Sequence, residues 1–476
     1  MKPKLNKEWH EKYQMPKNPS VEERIQWHLQ HVKYCACRPI PAKLLEEIKR
    51  RQAMENKNWL VALCIWLLLS ATSGWAQKNG DELARQAAAI HHKILTVDTH
   101  IDWPSHQFRN ANFVPRERHA PGKMGSGQWD LPRMQEGGLD AAFMSIFTSQ
   151  GARTDDGHAK AKAHALKLIE LTKKMVADNP DLAEMALTAE DAYRIEKAGK
   201  RAIFMGMENG YPLGVDIANV KMFYDLGVRY LTITHTRNNE LGDSSTDDKK
   251  EWNGLSPLGE QVVKEMNRLG MLVDISHVSD ELFWDVMATT KAPVIASHSS
   301  ARALCDHKRN MSDDMLQAVK KNGGVVQVCL LGSYIKTMPP NPERDEAIKP
   351  LQEKLRAARR GELSEEETKK VMEEFQTINA KYPANRPTVQ DAVNHIDHMA
   401  KVMGIDHIGI GSDFDGGGGL LGIDDVSEMP NLTKELLKRG YSENDIRKIW
   451  GGNLMRVFGE AIKVSKALQT NGVSAH

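Results

Sequence analysis

In the stretch Ile94-Leu95-Thr96-Val97-Asp98-Thr99-His100-Ile101-Asp102, three polar residues fall on alternate positions: Asp98, His100 and Asp102. In an extended chain they share one side. Ile94 to Val97 is apolar and β-branched and reads as a buried strand. A buried strand that runs into His-x-Asp sets an imidazole beside a carboxylate, which suits a divalent metal and serves no purpose in a hydrophobic core. On these residues alone a pair of loop caps explains the pattern equally well, because His-x-Asp is a weak motif. Recurrence decides between the two. Further apolar runs end in Glu208, in His235, in Asp274-Ile275-Ser276-His277, in Ser297-His298, and in Asp413 with Asp415. One buried histidine is usually a satisfied core residue; several histidines and carboxylates at successive strand ends favour a metal centre. Imidazole and carboxylate without thiolate suit zinc or a similar first-row ion. Five ligands with one bridging carboxylate suggest two ions about 3.5–4 Å apart, which is hydrolytic chemistry.

Those residues need elements to position them. From Gly80 onward there are eight strand-like runs: the first at Ile94, then Leu139–Phe147, Ala202–Met207, Arg229–Thr234, Met271–Ile275, Pro293–Ala296, Gly324–Leu331 and His407–Ile410. Helical patterns lie between them at His158–Ala177, Leu258–Leu269, Asp280–Thr289 and Asp313–Lys321. Alternating strands and helices imply parallel pairing. Eight such units predict an α/β fold of the TIM (β/α)8 barrel type, in which all C-terminal strand ends meet on one face. A doubly wound open sheet is the second choice, weakened by the lack of Gly-x-Gly-x-x-Gly after the first strand. Residues 336–386 break the rhythm with a Lys-, Glu- and Arg-rich stretch and read as a helical insertion after strand seven.

The remaining features bound the setting. The 476 residues carry 64 Lys+Arg against 63 Asp+Glu, and no basic stripe points to nucleic acid. Five cysteines, Cys35, Cys37, Cys64, Cys305 and Cys329, make no disulfide framework. Cys35 and Cys37 flank one residue near His28 and His31, but the spacing is not that of a recognised finger, and the pair is read as unmetallated. Residues 54–76 have the layout of a signal peptide cut after Ala76, with a short apolar run and small residues at Gly74 and Ala76. Residues 1–53, a small helical piece or a leader, are then an extension ahead of a natural start at Met54; a separate fused binding module is the alternative. The expected location of residues 77–476 is exported, periplasmic or secreted, or membrane-anchored if the segment is not cleaved.

The strand-end motifs stand together in one order: VDTHID, GMENG at Glu208, LTITHTRNN at His235, DISHVS at His277, PVIASHSSARAL at His298, KRN at Arg309, HIGIGSDFDG at Asp413 and GGNLMRVF near the end. In this the chain resembles the membrane (renal) dipeptidases, peptidase family M19 of the amidohydrolase superfamily, over roughly Ile94 to Phe458. The resemblance implies dipeptide hydrolysis by a hydroxide bridging two zinc ions. His100 and Asp102 would hold one ion, His277 and His298 the other, and Glu208 both. His235 would stabilise the oxyanion, Arg309 and Tyr334 would bind the substrate carboxylate, and Asp413 would move the proton to the leaving amine. A dipeptide is the implied partner and a homodimer the implied assembly. Other readings remain at single residues: Arg309 beside Lys308 could be a surface charge, and a cap for the turn 416–419 needs only one of Asp413 and Asp415. His395 and His398, on a helix before strand eight, read as structural. A deacylase or lactonase of the same superfamily, or an exported peptide-binding protein without turnover, are the competing functions.

Overall fold

The structure is a computed structural model describing residues 5–35, 37–54, 82–120, 126–360 and 363–473. It divides into two units, Met1–Glu82 and Leu83–His476. The segment read as a signal peptide lies outside the described residues, apart from its first, Met54. Among the described residues no helix is long and apolar enough to cross a membrane.

Among the described residues the larger unit is built on nine strands: β1 (Val97–Ile101), β2 (Ala141–Phe147), β3 (Ala183–Met185), β4 (Arg201–Glu208), β5 (Val228–Thr232), β6 (Leu272–Asp274), β7 (Ile295–Ala296), β8 (Val325–Cys329) and β9 (Ile408–Gly411). Every pairing is parallel, in the order β1-β2-β4-β5-β6-β7-β8-β9, with β3 joined to β4 off this path. The two ends of that order meet. Ile101 bridges Phe414, Asp102 N–H donates to Phe414 O (2.8 Å) and Asp413 N–H donates to His100 O (3.0 Å). The expected eight-stranded α/β barrel is therefore the fold, nearly closed at a short seam.

Two details differ from the sequence reading. The first strand begins at Val97, so Asp98 and His100 lie within it instead of following it. Their polarity is tolerated there because Asp98 Oδ1 accepts the N–H groups of His100 (3.1 Å) and Ser412 (2.9 Å), pinning the seam. The short β3 was not expected, since three residues carry too little pattern to register.

The strands are buried on both faces, as parallel strands covered by helices must be. Inside the barrel, Phe143 stacks on Phe204 (4.5 Å between centroids) and packs on Tyr230 (5.6 Å). Gly206 makes room for this layer, because a Cβ there would lie 1.9 Å from the Tyr230 ring. The outer helices follow their sequence signals. Pro257–Leu269, for example, starts at an N-cap Ser256 with proline in its first turn and ends on left-handed Gly270. It buries Val262, Val263, Met266 and Leu269. After β8 the helices Pro342–Ile348, Gln352–Arg360 and Glu365–Lys381 form the charged excursion, and Val389–Met403 leads back to β9. On that last helix His395 accepts from Ala301 N–H (3.0 Å) and reaches Ile335 O (2.8 Å), a structural role.

The smaller unit has helices Lys7–Lys12 and Val21–Tyr34 and a third over 42–54. Asn6 caps the first, and a Ser20/Glu23 capping box opens the second. Its aliphatic core is Ile25, Leu44 and Ile48, with Ile40 against them.

Candidate metal centre

Alternation along the strands aims the functional side chains. On β4, Ala202, Phe204, Gly206 and Glu208 share one face, so the carboxylate stands above the aromatic layer at the C-terminal mouth. His100 comes from β1, His277 from the loop after β6, His298 from just past β7, and Asp413 from just past β9. The structure brings all five expected ligands together. Glu208 Oε2 faces His100 Nε2 (3.5 Å), while Oε1 faces the Nε2 atoms of His277 (3.0 Å), His235 (3.3 Å) and His298 (3.5 Å). His100 Nε2 lies 3.5 Å from Asp102 Oδ2. Candidate ligand atoms fall into three overlapping groups: His100, Glu208 and His298; Glu208, His235 and His277; His100, Asp102 and Asp413.

Neighbouring groups fix the imidazole tautomers. The Tyr230 hydroxyl donates to Thr99 O (3.2 Å), so it accepts from His100 Nδ1–H (2.9 Å). Likewise Ser297 Oγ donates to Asp274 Oδ2 (2.6 Å) and accepts from His298 Nδ1–H (2.8 Å). Both rings are left with a bare Nε2 aimed at the cluster, the form that ligates metal. Asp274 also accepts from Thr232 Oγ1 and from the N–H groups of Ser276 and Ser297, which makes it the hub of the floor. Tyr230, Ser297 and Asp274 were not singled out as site residues from sequence. The signal for Tyr230 was its alternation with Thr232, and for Ser297 its place beside His298.

The electrostatics call for cations. Burial, helped by Arg309 and His100 respectively, holds His277 and His298 well below the ordinary histidine range, so both stay neutral. Burial opposes charge on His100 too, yet Tyr230, Glu208 and Asp102 hold its pKa well above the usual value: its surroundings favour positive charge at Nε2. The same exchange keeps Glu208 ionised against its burial. Burial and the neighbouring Asp102 and Glu208 carboxylates push Asp413 up to about 8. The buried His100 Nε2 and Asp102 Oδ1 have no hydrogen-bond partner. Carboxylates crowded with imidazole nitrogens and left with unpaired atoms fit divalent ions better than they fit each other.

Backbone strain gathers at the same place. Among the described residues five non-glycines have positive φ, and four of them, Asn209, His277, Asp413 and Asp415, follow the ends of β4, β6 and β9. Gly416 allows the carboxylates to converge, since a Cβ there would meet Asp102 Oδ2 at 2.2 Å and Asp413 Oδ1 at 2.4 Å. The two aspartates divide their work. The turn after them is closed by the Asp413 carbonyl, which accepts from Gly416, Gly417 and Gly418 N–H. Asp415 Oδ1 instead accepts from Gln128 N–H (2.7 Å) and ties that loop to the mouth.

The cluster opens into a cavity of about 300 Å³, which His235, Arg309, Tyr334 and Asp413 all line. Arg309 is 3% exposed, which removes the surface-charge reading. It donates to His298 O (3.0 Å) and stands over the Tyr334 ring (5.3 Å to the centroid). Ser105, Arg109, Phe147 and Thr236 also line the cavity and were not picked out in the sequence. Cys305 and Cys329, both buried, are free thiols.

Comparison with known proteins identifies the family. Residues 84–472 match the family described as membrane dipeptidase (peptidase family M19). The chain is 34% identical to Dipeptidase tcpJ of Claviceps purpurea over 374 residues, 77% of each protein. It is 33% identical to Dipeptidase 3 of Mus musculus over 394 residues, covering 80% of this chain and 67% of that one. Among solved structures it resembles the probable dipeptidase PvdM from Pseudomonas aeruginosa, with a TM-score of 0.68 and 34% identity over 81% of this chain and 99% of that one. With the family matched over residues 84–472, most of the chain, the chain belongs to the membrane dipeptidases, peptidase family M19.

Proposed function

We propose that the protein cleaves dipeptides to free amino acids, using two zinc ions held by His100 and Asp102 on one side, His277 and His298 on the other, and Glu208 between them. The observation that carries this reading is the division of Glu208, whose Oε2 serves His100 while Oε1 serves His277 and His298. A carboxylate whose oxygens face separate groups of imidazoles has the disposition of a bridging ligand. When bound, such a pair of ions supplies an acidified water as nucleophile and polarises the scissile carbonyl.

The rest of the work falls to side chains. Arg309 offers its guanidinium fork to the substrate carboxylate, with Tyr334 beside it. His235 Nε2, on the cavity side of Glu208, stabilises the charge that develops on the carbonyl oxygen. Asp413 takes the proton from the attacking water and hands it to the leaving amine nitrogen. A cavity of about 300 Å³ is at the small end for ligand sites and suits a short substrate. A neutral lactone would offer the buried Arg309 no carboxylate to pair with, which disfavours the lactonase reading. Residues 54–76 keep their reading as a signal segment, either cut after Ala76 or left as an anchor that keeps the N-terminal unit on the chain. N-terminal sequencing of exported protein separates the two, with Gln77 first for cleavage and Met1 first for the anchor; protein that is not exported refutes both.

The deciding test is dipeptide hydrolysis across L,L and L,D substrates, with chelation, zinc add-back and Asp413→Asn in parallel. Activity restored by zinc and absent in Asp413→Asn is the expected result. A zinc-loaded protein inert towards every dipeptide overturns the proposal and moves the search to acylated amino acids.

A further inference from the structure

The smaller unit holds a second cluster of ligand atoms. His10 Nε2 lies 3.3 Å from both Cys35 Sγ and Cys37 Sγ, and His31 Nε2 lies 3.3 Å from Cys37 Sγ. All four ligand atoms fall within 4.8 Å of one another. We propose that His10, His31, Cys35 and Cys37 bind one zinc-class ion that holds the N-terminal unit together. The spacing of the chain pairs the cysteines with His28 and His31. The fold instead replaces His28 with His10, twenty-one residues before His31, and so completes a set of two sulfurs and two nitrogens.

Three arguments support an ion over hydrogen bonds. A ring nitrogen has one lone pair or one proton, so His10 Nε2 makes one full hydrogen bond at most, and two sulfurs at an equal 3.3 Å are better served by an ion among them. In a tetrahedral site with the usual metal–sulfur and metal–nitrogen bonds, neighbouring S and N atoms stand about 3.6 Å apart, close to the separations found here. The surroundings are also those of a ligand set. Asn6 N–H donates to Cys35 Sγ (3.2 Å), the kind of outer contact that steadies a thiolate. His31 is fully buried and stacked on Trp27 (4.9 Å, 8° between planes), with Trp9 against it at 5.4 Å, which fixes the direction of its ring.

The core supplies the reason for an ion. Among the described residues of the unit the aliphatic core is Ile25, Leu44 and Ile48 with part of Ile40. A metal adds the stability that an aliphatic core of this kind does not supply by itself. The four ligands join the first helix, the second helix and the turn that follows it, so one ion would tie together the segments that the core binds weakly. Two thiolates with two imidazoles select a tetrahedral ion of the zinc class. This proposal does not depend on the dipeptidase reading, because the ligands it uses are separate from those of the barrel.

The test uses the full 476-residue chain purified under reductant, stripped of metal and titrated with cobalt(II). Thiolate-to-cobalt charge-transfer absorption that saturates at one ion per chain is expected. It should persist in Cys329→Ser, vanish in Cys35→Ser/Cys37→Ser, and be displaced by zinc. Absence of this band in the unsubstituted chain, or its survival in the double variant, overturns the proposal. Should the double variant misfold, the unsubstituted chain still decides: alkylation of Cys35 and Cys37, read by peptide mass spectrometry, should be blocked by zinc. Equal labelling with and without zinc, or a Cys35–Cys37 disulfide, overturns it.

Discussion

At the barrel mouth, His100, Glu208, His277 and His298 arrive on or just after strands that are paired to their neighbours and buried on both faces. In the N-terminal unit, His10, His31, Cys35 and Cys37 arrive on two short helices and a turn, over an aliphatic core that among the described residues is Ile25, Leu44 and Ile48. The first set is held in place by the protein and left with unpaired atoms and unbalanced charge, so it is prepared for ions that do chemistry. The second set is backed by two tryptophan rings and a small aliphatic core instead of a paired sheet, so it depends more on its own members, which is how a structural site behaves. Withdrawal of metal should therefore have opposite consequences in the two places. Chelation should abolish dipeptide turnover while the barrel keeps its helical circular dichroism and a cooperative melt. The same treatment should open the segment 5–54 to trypsin. Cleavage spread evenly along the chain would mean that the barrel, too, is assembled around its ions, and the contrast would fail.

The largest effect of a single substitution is expected at Asp413. Asp413→Asn keeps the shape of the side chain and removes its basicity, and should lower kcat by about 10²–10⁴-fold with no loss of melting temperature. If the barrel ligands are placed by the scaffold, the variant should bind metal to the same stoichiometry. Arg309 comes next. Arg309→Lys keeps a charge but loses the planar fork, and should lower kcat/KM for dipeptides by about 10–100-fold, expressed mainly in KM. An equal loss on a substrate without a free carboxylate would show that Arg309 acts through His298, to whose carbonyl it donates, and not through substrate.

A smaller effect is expected one layer further out. Tyr230→Phe keeps the stacked ring but deletes the hydroxyl that sets the His100 tautomer. Metal affinity should fall by about 10-fold, measured by competition with a chelating dye, with kcat recovered at saturating zinc. No shift in affinity would mean that the barrel packing alone orients His100.

The same contrast explains what was legible in the chain. Short runs rich in apolar and β-branched residues could be read as strands, and a histidine or carboxylate at the ends of six of the eight marked the mouth. The first boundary was misread because Asp98 and His100 are held inside a strand by groups far away in sequence: the Ser412 N–H across the barrel seam donates to Asp98, and the Tyr230 hydroxyl meets the His100 ring. Tyr230 and Ser297 act only through partners brought close by folding: Tyr230 meets His100, 130 residues away. The N-terminal cluster was the hardest to see. His10 joins the cysteines because a turn folds one helix back on another, and no local spacing encodes that return.

A histidine at the opposite end of the barrel gives the smallest expected effect on turnover and a sharp contrast in protonation. His91 is fully buried before β1. Trp450 Nε1–H donates to Thr433 Oγ1 (2.7 Å), so the Thr433 proton is free to go to His91 Nδ1 (2.7 Å), while His91 Nε2–H donates to Gly137 O (2.8 Å). This ring is fully satisfied as a neutral group, unlike the bare Nε2 atoms at the mouth. A proton added at Nδ1 would leave Thr433 Oγ1 accepting twice and its own hydrogen without a place. Burial accordingly pushes the His91 pKa down to about 4, against 6.5 ordinarily. With the folded pKa depressed, the unfolded chain binds more protons between those values. The contribution is therefore complete above pH 6.5 and is lost as pH falls towards 4, by about 3 kcal/mol in total. Urea unfolding at pH 7.5, 5.5 and 4.5 should follow that slope. His91→Gln, which has no proton to gain, should flatten it while leaving turnover at pH 7.5 unchanged. An undiminished slope in the variant would assign the acid sensitivity to the carboxylates and histidines of the mouth.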